Sequence, residues 1–154
     1  MKVSNVAEMI EGYSEDRYLM REKNDCTVVA LAAALKMPYK TAHKVAEKYG
    51  RKRRQGMYNQ QVEEMLGEMP GLRSLTSEET STYYNSTRKV RANKLSTFAG
   101  RYPKGTYIVR VRGHVVTVED GVVLERGKPR NWHVRQAWEV TGRCRADEVP
   151  VMAG

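Results

Sequence analysis

The sequence predicts an α+β protein: N-terminal helices, including a buried central helix that starts at Cys26, packed on a C-terminal antiparallel sheet. Three observations carry that expectation. Residues 26–35 are apolar on every side, which suits a helix enclosed by protein. Helix-period patterns with recognisable stops fill much of the first hundred residues. Beyond Thr106 the pattern becomes strand-like and contains a two-residue hairpin signal, Asp120-Gly121. Helices followed by strands, without alternation, is the α+β order. The chain reads as a single domain over 1–154: a helical brace at 1–14, a helical part at 15–100, the sheet at 101–141 and a tail at 142–154.

Taken in order, Val3, Val6, Met9 and Ile10 are spaced for a short amphipathic helix ending near Gly12. Asn24 or Asp25 supplies an N-cap, and a helix follows from Cys26 to Lys36, its alanines permitting close neighbours. Pro38 suits the connection to a second helix that starts near Thr41 and stops at Gly50. The basic run Arg51-Lys52-Arg53-Arg54 reads as a loop, and Asn59–Met69 as a third helix with Val62, Met65 and Leu66 inward. Ser74 to Asn93 reads as an irregular crossover, with a helical turn at Leu95 and Phe98. Strands are expected at Tyr107–Arg112, His114–Val118, Val122–Glu125 and Val134–Val140.

Composition narrows the function classes. With 40% hydrophobic and 29% charged residues, the 154-residue chain is that of a globular protein able to bury a core. The formal charge of +9 attracts polyanions at modest salt. The first residues carry acids and no apolar run, and no window approaches the roughly 18 apolar residues of a spanning helix. A cytosolic location without a membrane partner is therefore expected. Cys26 and Cys144, far apart, argue against a disulfide framework, and with His43, His114 and His133 they show no metal-ligand spacing. Neither metal nor cofactor is expected.

The chemistry concentrates on Cys26 and His114. A thiol at a helix N-terminus lies at the positive end of the macrodipole, which stabilises its thiolate. A base must then reach it. His114 opens a strand just after Gly113, where the backbone can bend to aim the ring. The Asp120-Gly121 tip sets residue 118 opposite 123, 116 opposite 125 and 114 opposite 127, so 114, 116, 123 and 125 share a face. Glu125 is then diagonal to His114 and is the candidate to orient it. Asp120 would stand about six strand residues away, roughly 20 Å, too far to do so. Asn131, entering the next strand with Trp132, is the reserve candidate. His43, His133 and Cys144 receive no role.

Asn24-Asp25-Cys26 opening a long apolar helix, with Gly113-His114 on a strand after Pro103-Lys-Gly-Thr-Tyr-Ile-Val, resembles the papain-like cysteine peptidase fold, in the style of its small phage-encoded or bacteriocin-processing members. The resemblance spans roughly residues 15 to 140. It implies a thiol hydrolase, a peptidase or amidase acting on a peptide or protein substrate in a bacterial host cell or as part of a virion. Cys26 would attack the carbonyl, His114 would move the proton, and an acid or amide would hold the ring. Many members carry a glutamine shortly before the cysteine as an oxyanion donor. Tyr18-Leu-Met-Arg-Glu-Lys has none, so Asn24 or the backbone N–H of Cys26 would serve. Loss of one such donor costs ~100-fold or more in rate, so the scaffold is expected to be either weakly active or retired from catalysis.

The basic residues carry an alternative. Arg51, Lys52, Arg53 and Arg54 are contiguous, and Arg88, Lys89, Arg91, Lys94 and Arg101 recur near Tyr83, Tyr84 and Tyr102, a mixture that could track a nucleic-acid backbone and stack on bases. On that reading the chain is a nucleic-acid-binding, virion or host-interaction protein that reuses the scaffold without catalysis.

Overall fold

The computed structural model describes residues 1–84 and 89–142. Cys144, Arg88 and the tail beyond Gly142 lie outside the described residues, as do the side chains of Tyr83, Tyr84 and Lys89. The class is α+β, with five α-helices among the described residues and a six-stranded, mostly antiparallel sheet.

The chain opens with strand β1 (Lys2–Asn5) and a single 3₁₀ turn, Val6–Met9, rather than the expected helix. β1 pairs in parallel with the outer edge of β7 (Val122–Glu125). Val6 and Ile10 are buried as a helix face would be, but Val3 and Met9 are exposed. Backbone pairing to a distant sheet edge, invisible in side-chain spacing, prevails over weak local periodicity. Helix α1 (Tyr13–Leu19) follows, then α2 (Cys26–Leu35), α3 (Tyr39–Lys48) and α4 (Asn59–Glu68). The segment read as an irregular crossover contains β2 (Leu72–Ser74) and a hairpin, β3 (Ser81–Tyr84) with β4 (Lys89–Ala92). The part expected to be helical to residue 100 is therefore interrupted by strands. Helix α5 (Leu95–Arg101) leads into β5 (Thr106–Val111), β6 (His114–Glu119), β7 and β8 (Gln136–Val140).

Strand order is β1-β7-β6-β5-β8-β2, so an N-terminal strand and a mid-chain strand close the two edges around the C-terminal hairpins. Strand alternation divides the core in two. Ile108, Val115, Leu124 and Trp138 join α2, α3 and α4 in one cluster, whereas Val109, Val116, Val118, Val123 and Ala137 join Leu95, Phe98 and Ala99 of α5 in the other. Nine of the ten residues of α2, Thr27 to Leu35, are buried. At about 25 cal/mol per Å² of apolar surface, burying this helix removes a continuous stretch of hydrocarbon from water. The tip between β6 and β7 has positive φ at both Asp120 (50°) and Gly121 (75°), the backbone of a type I′ turn, and pairs Val118 with Val123 as the sequence predicts.

Candidate active site

Cys26 is the first residue of α2, partly exposed at the helix N-terminus. His114 is the first residue of β6, opposite Val111, after the positive-φ Gly113. Tight packing of α2 across β6 brings these two termini together at one end of the sheet. Cys26 and His114 line one cavity, close enough for each to shift the other's titration, and the backbone N–H of Val115 also acts on the sulfur. His114 Nε2 contacts Glu125 Oε2 on the neighbouring strand. Nδ1 is thereby the ring nitrogen left clear of Glu125. Glu125 Oε1 accepts the N–H of Arg126 at 2.8 Å, which fixes the carboxylate, and the Trp132 ring lies 5.2 Å from that of His114.

The electrostatics agree with the geometry. Burial pushes the Cys26 thiol up, but the hydrogen bond and charge of His114, with smaller help from Val115 and Thr27, bring it below its ordinary value. Burial pushes His114 down, and its bonds to Cys26 and Glu125 more than reverse this, to about 9. The two shifts have one cause: each group favours the charged form of the other. Glu125 is held below the usual carboxylate range against its burial, first by His114 and then by the Arg126 N–H.

Asn24 and Asp25 play parts other than capping. Neither makes a side-chain cap bond to α2. The Asp25 carboxylate, fully buried, instead accepts Arg17 Nε at 2.7 Å, Arg17 Nη2 at 3.1 Å, Arg126 Nη1 at 3.0 Å and Tyr39 Oη at 2.7 Å. A buried carboxylate takes the strongest donors within reach, and two guanidiniums outrank helix N–H groups. Asn24, at φ 53°, donates one Nδ2 hydrogen to the carbonyl of Arg54 at 3.2 Å and lines the cavity over the thiol. That cavity, of about 330 Å³, is walled by Asn24, Gly56 and Gly113 around Cys26 and His114, with Arg17 and Arg126 completing it.

Asn131 stands elsewhere. Its Oδ1 accepts the Ser96 N–H at 2.9 Å and its Nδ2 donates to Ser96 Oγ, so it tethers the first turn of α5 and does not orient His114. The basic run divides as well. Arg51 is buried, bonded to Glu22 Oε2 at 2.6 Å and to the Lys23 carbonyl, and His43 meets the same carboxylate at 2.5 Å. Lys52, Arg53 and Arg54 are exposed. A fully buried Glu22 side chain requires a cation, and Arg51 is the one that loop placement supplies. The four bases are thus not one surface patch. Arg101 and Tyr102 spend their polar groups on the carbonyls of Glu78, Ser81 and Glu79.

Arg17, Arg126 and Trp132 line or abut the site without having been marked by the sequence. Only Arg126 carried a usable signal, as the residue following Glu125. No group of His, Cys, Asp and Glu able to hold a metal occurs among the described residues, and no helix among them is long and apolar enough to cross a membrane. Compared with protein-family models, curated proteins and solved structures, the chain has no significant match.

Proposed function

We propose that this chain is a cysteine-nucleophile hydrolase, a peptidase or amidase of papain-like arrangement, with Cys26 as nucleophile, His114 as acid–base and Glu125 as the orienting carboxylate. One observation carries the reading: the thiol at the mouth of a buried helix shares a cavity with an imidazole whose Nε2 is on a carboxylate. That is the nucleophile, base and orienter constellation.

In the forward step the Cys26 thiolate adds to the carbonyl carbon of an amide. The oxyanion forms beside the Cys26 N–H and the second Nδ2 hydrogen of Asn24. As the C–N bond breaks, imidazolium His114 gives its proton to the departing amine, leaving a thioester on Cys26. Water then adds to the thioester while His114 takes its proton, and the C–S bond breaks to release the carboxylic acid and restore the Cys26 thiolate beside imidazolium His114. Electrons and protons balance with water as the only co-reactant. Glu125 keeps the Nε2 side of the ring occupied, so Nδ1 faces the sulfur throughout.

The test is alkylation by iodoacetamide at about pH 6, well below the range in which an ordinary thiol reacts, with the modified residue identified by mass spectrometry. Rapid modification of Cys26, lost in His114→Ala, together with peptide turnover lost in Cys26→Ala, is the expected result. Label found on Cys144 alone, or on Cys26 at the rate of an ordinary thiol, rejects the proposal.

A further inference from the structure

The cavity over Cys26 is lined by two guanidiniums that the reaction does not use. Arg17, from α1, and Arg126, just after β7, both line it. Their side chains are 26% and 29% exposed. Both are pinned from beneath by Asp25, whose side chain is 0% exposed. Tyr39 Oη occupies the same carboxylate, and the Arg17 guanidinium also lies 5.5 Å from the centre of the Tyr13 ring. Arg126 also interacts with Glu125 and with Tyr13, so the charges around the cavity balance, and what the two arginines add to the wall is guanidinium N–H groups beyond those that hold Asp25. Gly56 and Gly113 complete the wall without side chains that would fill the space.

We infer that Arg17 and Arg126 form an anion subsite beside the nucleophile, and that the hydrolase takes acyl groups or amides bearing a carboxylate next to the scissile bond. This inference rests on the hydrolase reading and names its substrate class. Guanidiniums immobilised by Asp25 present their remaining N–H groups in fixed directions, the arrangement suited to binding a carboxylate. Little ordering is left to do when substrate arrives. The carboxylate could be a peptide C-terminus or an acidic side chain, and the two sources are separable by experiment.

Three chloroacetyl reagents measure the subsite on the intact protein: chloroacetyl-glycine, with a terminal carboxylate; chloroacetyl-aspartyl amide, with a side-chain carboxylate; and neutral chloroacetyl-asparaginyl amide. Iodoacetamide reports thiol reactivity alone. At low salt at least one anionic reagent should modify Cys26 about tenfold faster than the neutral one, and the advantage should shrink as salt screens it. The faster of the two identifies the source of the carboxylate. Arg126→Gln leaves Asp25 its bonds to Arg17 and Tyr39 and removes one of the two guanidiniums, so it should abolish the preference, and Arg126→Lys should restore most of it. If Arg126→Gln does not fold, the wild-type reagent series and its salt dependence decide. Equal rates for all three reagents on a Cys26 that iodoacetamide modifies rapidly overturn the subsite and leave the hydrolase standing. Slow modification by every reagent, iodoacetamide included, overturns both.

Discussion

The Thr117 hydroxyl donates a 2.7 Å hydrogen bond to the carbonyl of Ala30, linking β6 to α2 through the middle of the core. Ala30 lies one helical turn after Cys26, and Thr117 three residues after His114. This buried polar contact fixes the sliding position of the helix along the strand, and with it the approach of thiol and imidazole. A Thr117→Val variant keeps the shape and loses the bond. It should unfold in urea with stability lower by about 1 kcal/mol, and Cys26 should be alkylated several-fold more slowly. Unchanged alkylation would show that apolar packing alone sets the alignment.

Glu125 is expected to act through His114. The folded His114 is held at about 9, above its unfolded value. Its contribution to stability is therefore fully present below about 6.5 and is lost as pH rises through about 9. Peptide turnover should have its alkaline limb in that region. In Glu125→Gln the ring loses its carboxylate, the limb should move to lower pH, and kcat/KM should fall about 10- to 100-fold. A lower rate with an unmoved pH profile would assign Glu125 a purely structural role.

Asp25 lies under the site as its electrostatic footing. Burial raises its pKa, but Arg17, Tyr39 and Arg126 lower it further, to about 2. Because the folded value lies below the unfolded one, the stabilisation is present above about pH 4 and is lost as pH falls towards 2. Asp25→Asn should reduce stability by about 2–3 kcal/mol at neutral pH, since one amide cannot satisfy two guanidiniums and a phenol. Its stability should also fall less steeply between pH 4 and 2 than that of the wild type. Equilibrium unfolding across that interval measures both effects.

The basic run should behave as two things. Arg51→Ala strands the buried Glu22 carboxylate and should cost about 3–5 kcal/mol, seen as a large fall in melting temperature. Changing Lys52, Arg53 and Arg54 to Gln one at a time should alter stability by no more than about 0.5 kcal/mol each. Any retention on a polyanion column should weaken with those three exposed cations. A stability-neutral Arg51→Ala would contradict the buried network.

Some of this was legible in the residues themselves. The absence of a polar face placed α2 in the interior, and the Asp-Gly pair at 120–121 specified a hairpin whose register makes Glu125 a neighbour of His114. These are local signals, carried by periodicity and by φ values that few residues adopt. What the tertiary structure alone decided are relations between segments: β1 pairing in parallel with β7, Arg51 drawn inward to Glu22, Asn131 tethering α5, and Asp25 serving two arginines instead of a helix end. Each depends on which charged or hydrogen-bonding group lies closest once the core has closed. That choice is made by distance in space, where the strongest available partner wins, and separation along the chain does not record it.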